Sequence, residues 1–85
     1  MRIVKIKPNQ DYTLHIVTED GKTGIFDVSP YLELEAFAEL KKQEAFQKVT
    51  NGSYFIEWDC GADLSADTIE ARWQVVGKAA PQTTA

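Results

Sequence analysis

A chain of 85 residues makes one domain and leaves no room for two. Its hydrophobic share of 44%, with 11% aromatic residues, is enough for a core and excludes a disordered composition. A formal charge of −4 speaks against condensation on nucleic-acid phosphates, and the single cysteine, Cys60, excludes an internal disulfide or a thiolate zinc cluster.

The chain starts in strand-like alternation. Residues 2–8 set Lys5 and Lys7 against Ile3 and Ile6, with one extra apolar position at Val4, which predicts a half-buried strand. Pro8-Asn9-Gln10-Asp11 is turn chemistry. Residues 11–18 alternate again, Tyr12, Leu14 and Ile16 opposing Thr13, His15 and Val17, and Asp20-Gly21 predicts a tight hairpin into a third strand over 22–28. These strands are expected to form an antiparallel meander.

Ser29-Pro30 ends the alternation, with a residue that can cap and a proline suited to a first helical position. Leu32, Leu34, Phe37, Leu40, Phe46 and Val49 then recur at mixed intervals of three and four, which predicts one or two helices over roughly 30–48. Asn51-Gly52 marks a turn, and Tyr54 to Trp58 have the strongest strand propensity in the chain, giving a strand over 53–58. Asp59 to Ala62 turn away, and a short helix is expected over 65–73, capped by Ser65 or Asp63 and with Asp67 in its first turn. The fold class is α+β: one domain over residues 1–76, and a flexible tail over 77–85, where the sequence has nothing to bury.

No residue pattern carries catalysis. His15 has no acid or thiol beside it in sequence, and Asp59 next to Cys60 would raise a thiol pKa rather than lower it. The glycines form neither a dinucleotide nor a phosphate-loop fingerprint. The densest acidic stretch is Glu57, Asp59, Asp63, Asp67 and Glu70, whose spacing does not fit a calcium loop, so Asp63 and Asp67 read as cap and first-turn residues. No catalytic, cofactor or metal site is therefore expected. No apolar run approaches the ~18 residues that a membrane span needs, and the start is not that of a signal peptide, so a cytoplasmic location is expected.

The runs Phe26-Asp27-Val28-Ser29-Pro30-Tyr31-Leu32, Ile56-Glu57-Trp58, Gly61-Ala62-Asp63-Leu64 and Asp67-Thr68-Ile69 are similar to those of a small prokaryotic family, domain of unknown function 2442. The resemblance covers roughly residues 3–70, and its most specific part runs from Trp58 through Gly61 and Asp63 to Asp67. Asp59, Cys60 and Ala66 depart from it, standing where the family often has proline, asparagine and proline. The resemblance implies a small α+β domain, in some members followed by a helix-turn-helix domain. It also implies a gene commonly placed beside that of another small protein, an arrangement like that of toxin–antitoxin pairs.

The expected function is that of a non-catalytic protein-binding module, an antitoxin-like partner of a basic protein encoded nearby. The alternatives are a homo-oligomeric structural domain such as a homodimer, and a small metal-dependent enzyme using Asp63 and Asp67. Interface cores favour tyrosine and tryptophan, so Tyr31, Tyr54 and Trp73 are the candidate partner-binding residues. Trp58 is expected in the core, and Asp63 is expected to accept backbone N–H bonds that hold the turn before the last helix.

Overall fold

The alternating segments become strands, and a computed structural model describing residues 1–78 shows how they join. Strands β1 (Ile3–Pro8), β2 (Thr13–Thr18) and β3 (Lys22–Asp27) pair antiparallel in chain order. The core face of β2 and β3 carries Leu14, Ile16, Thr18 and Phe26. The extra apolar position in β1 is a bulge: Ile3 pairs with Thr18 and Lys5 with Val17, so Val4 is left over and exposed. One inserted residue reverses the side-chain phase. It lets Ile3 and Ile6 share the core face that Thr18 and Ile16 occupy opposite them.

Of the four described positions with a left-handed backbone, the two in the turns of the meander adopt it for different reasons. Gly21, in the β2–β3 hairpin, has φ +89° and needs the freedom of glycine. Tyr12 has φ +66°, rare for a bulky side chain, so β2 starts at Thr13 and not at the tyrosine expected to open it. Tertiary contacts hold Tyr12 there: its hydroxyl donates to the Lys41 carbonyl and its ring meets Phe46 edge-on at 5.2 Å.

Residues 30–48 do not form the one or two regular helices expected. They make two 3₁₀ helices, Ser29–Glu33 and Glu35–Lys41, and a single α-helical turn, α1 (Gln43–Phe46). Leu34 and Lys42 are extended, with ψ 141° and 124°, and break the run at both places. The buried residues Leu32, Phe37, Leu40 and Phe46 come at unequal intervals, which a straight rod could not point at one core. Ser29 is not a side-chain cap, since its N–H and hydroxyl both donate to Asp27 Oδ1.

The expected strand over 53–58 is β5 (Phe55–Trp58), the centre of a second antiparallel sheet with β4 (Val49–Asn51) and β6 (Asp63–Ser65) on its flanks. Both flanking strands are too short to give a period, so neither was legible in the sequence. Helix α2 (Ala66–Arg72) follows directly. Strand β7 (Gln74–Lys78) then returns to pair with β3, making the first sheet β1-β2-β3-β7. Gly77 and Lys78, read from sequence as the start of a tail, thus belong to a strand, because β3 supplies the ladder that their own composition does not demand. The rest of that tail, residues 79–85, lies outside the described residues.

The sheets meet at β1, where Ile3 N–H donates to the Ser53 carbonyl at 2.7 Å and Asn51 Nδ2 donates to the Ile3 carbonyl at 2.9 Å. Between them lies one core of Ile3, Leu14, Ile16, Phe26, Val28, Phe46, Ile56, Trp58 and Ile69, closed over by Leu32, Phe37 and Leu40. No described helix is long and apolar enough to cross a membrane.

Candidate functional site

The family-like segment from Trp58 to Asp67 divides between core and surface. Trp58 is buried, stacks on Phe46 at 5.9 Å and donates its indole N–H to the Phe46 carbonyl at 2.9 Å. Gly61 turns the chain at φ +99°, a conformation that side chains rarely adopt. The cap is Ser65: its hydroxyl oxygen accepts from the Thr68 N–H at 3.1 Å, while Asp63 is an exposed member of β6 with no hydrogen bond to the turn. The expectation for Asp63 fails because strand pairing carries the chain on to Ser65 before the helix begins. Ser65→Ala is expected to cost about 1 kcal/mol, within the usual ~0.5–2 for a lost cap, and Asp63→Ala nothing of that kind; urea melts of the two variants separate them.

What Asp63 meets instead is another carboxylate. In the register of the second sheet Glu57 stands directly opposite Asp63 on one side and Thr50 on the other, all three exposed. The next row on the same outer face is Phe55 opposite Ser65, with the Phe55 ring resting on Gly52. Tyr54, just before β5, is the most exposed large hydrophobic residue among those described, at 64%. Like charges directly opposed on a sheet are destabilising, and neither carboxylate has an ion-pair partner among the described residues. Sequence alternation shows Glu57 and Asp63 as surface residues, but only the register sets them face to face.

The other two aromatic candidates sit elsewhere. Tyr31 is half-buried between Phe26 and Phe37, with ring centroids 5.7 and 5.5 Å away. It lines an open cleft of about 390 Å³ with Phe26, Asp27, Pro30, Leu34 and Arg72, which neither Tyr54 nor Trp73 lines. Trp73, also half-buried, lies flat against Gly24 of β3. So the three are not one patch, and only Tyr54 stands free.

The remaining titratable residues are dispersed. His15 is half-buried on β2 between Lys7 and Ile25, and Cys60 is exposed in the β5–β6 turn. Asp20 is held below the usual carboxylate range, first by the Thr18 hydroxyl that donates to it and then by the Lys22 N–H. Among the described residues no three His, Cys, Asp or Glu side chains gather in a way that could hold a metal ion, and Asp67 lies in α2 while Asp63 lies in β6.

The architecture and the Trp58-to-Asp67 segment go together with one finding: residues 3–74 match the family model Protein of unknown function (DUF2442). The chain belongs to this family. No curated protein and no solved structure matches it. The DUF2442 segment takes in the meander, the 3₁₀ region, the second sheet and α2, and it ends at Gln74, the first residue of β7. The acidic outer face, including Glu57 and Asp63, lies wholly within it, as do the cleft and Arg72.

Proposed function

We propose that this domain is a non-catalytic protein-binding module, an antitoxin-like partner of a basic protein, and that it docks through the outer face of the second sheet. The observation that carries this reading is the Glu57–Asp63 pair, opposed on an exposed face beside Phe55 and Tyr54. Two facing carboxylates weaken the free domain and make no ion pair among the described residues. A cationic side chain laid between them removes the repulsion, and the exposed aromatics supply the apolar anchor that interface cores favour. The chain's net charge of −4 acts in the same direction, speeding association with a basic partner and slowing it as salt rises.

The test is co-purification on tagged protein at low and high salt, with Glu57→Gln/Asp63→Asn run in parallel. A basic protein is expected to be retained by the wild type, more slowly at high salt, and to be lost or weakened with the double variant. The same variant is expected to melt at or slightly above the wild-type temperature, which separates lost binding from lost fold. If only the domain itself is recovered at either salt, the masking role fails. Light scattering of the purified chain then decides whether a homo-oligomer takes its place.

A further inference from the structure

Strand β7 borders the first sheet, and no strand pairs with its outer side among the described residues. The opposite border, β1, is tied down by Ser53 and Asn51. Three features coincide at the N-terminal end of β7. The strand exposes Val75 and Val76, at 51% and 59%. Arg72, two residues before it, lines the apolar cleft of Phe26, Pro30, Tyr31 and Leu34 and makes no ion pair among the described residues. β7 contains no acid, and the cleft beside it sets one cation, Arg72, against one carboxylate. The one carboxylate of the cleft, Asp27, already accepts from the Ser29 N–H and hydroxyl.

We propose that this edge and cleft form a second docking site, which takes an extended acidic segment of another protein by strand addition. Backbone bonds to an open edge give affinity to any extended chain, and a pocket for alternate side chains gives selectivity. At this site an apolar side chain of the incoming strand enters the cleft, and a neighbouring carboxylate meets Arg72. The register jump between Thr23–Gly77 and Gly24–Val75 leaves Val76 as a bulge. Bulges twist an edge out of reach, which confines pairing to Gln74 and Val75, next to the cleft. This site lies on the other sheet from the Glu57–Asp63 face and selects the opposite charge, so it stands or falls independently of the basic-partner reading.

The experiment uses the full chain labelled with ¹⁵N and two short synthetic peptides, each alternating valine with a charged residue around one phenylalanine. One peptide carries glutamate and the other lysine. The glutamate peptide is expected to shift the amide signals of Phe26, Tyr31, Leu34, Arg72, Gln74 and Val75, and to bind about tenfold more tightly than to the Arg72→Glu variant, since attraction at an exposed pair is replaced by repulsion. The lysine peptide is expected to leave these signals in place. Equal binding of both peptides, shifts confined to the Glu57–Asp63 face, or no shifts overturns the proposal. Concentration-dependent shifts of Gln74 and Val75 without peptide overturn it too, and assign the edge to a second copy. The wild-type comparison of the two peptides decides even if the Arg72 variant does not fold.

Discussion

Trp58→Ala is expected to lower the stability of the domain by about 3–5 kcal/mol, the range for removing a buried large aromatic side chain. The indole is 1% exposed, stacks on Phe46, meets Phe37 edge-on at 6.3 Å and closes the distance between β5 and α1 through its bond to the Phe46 carbonyl. Truncation opens a cavity where both sheets and the 3₁₀ segment converge, and leaves a buried carbonyl without its donor. A domain of this size has only about 5–15 kcal/mol in all, so the variant sits near the limit of folding. Trp58→Phe separates the two contributions: it retains most of the ring volume and loses the hydrogen bond, at an expected cost nearer 1–3 kcal/mol. Urea melts followed by far-ultraviolet circular dichroism give both values. An unchanged midpoint for Trp58→Ala would mean that the second sheet does not pack on the core as described.

The second large effect is expected at Gly24, a position that sequence inspection passes over as part of a hairpin. Its backbone angles suit any residue, but a Cβ there would lie 2.5 Å from Cε3 of Trp73 and 2.9 Å from Cδ2 and Cζ3. These are fused-ring atoms, which cannot bend aside as the end of a flexible chain can. Gly24→Ala therefore expels Trp73 from the sheet and is expected to cost about 1–3 kcal/mol, the range for overpacking. Because Trp73 is the hinge between α2 and β7, the loss should spread to the β3–β7 pairing, visible as faster amide exchange at Val75 and Gly77. The decisive control is the double mutant. In a Trp73→Ala background the three atoms nearest the new methyl group are gone, and the restricted unfolded chain makes alanine favourable by about 0.4–1 kcal/mol. The sign of the substitution should reverse. A cost that stays the same with and without the indole would show that the ring does not rest on Gly24.

Much of this architecture was legible because local pattern and tertiary role coincide. Alternation in residues 2–8, 11–18 and 22–28 reports a face that is buried, and the sheet buries it: Leu14 and Ile16 are fully enclosed. Even the phase break at Val4 survives as a bulge. Trp58, in the segment with the strongest strand propensity, was expected in the core, and it is there. The region after Ser29 was harder to read because its apolar residues must reach one core from a chain that wraps around it. Intervals of three and four then look helical without any continuous helix to carry them.

What only the tertiary structure decided is which surfaces face each other. Gln74 to Gly77 are all exposed, yet the strand pairs because β3 lies open beside it. Strand formation at an edge is decided by the available ladder more than by the strand's own side chains. Asp63 reads as the cap in one dimension, and the pairing of β5 with β6 overturns that reading by keeping Asp63 in a strand and leaving Ser65 to cap the helix. The same pairing set Glu57 against Asp63. Sequence by itself determined the elements that bury a periodic face and the residues that fill the core. Register, edge and the juxtaposition of charges depend on contacts between segments distant in the chain, and so they emerge only with the fold.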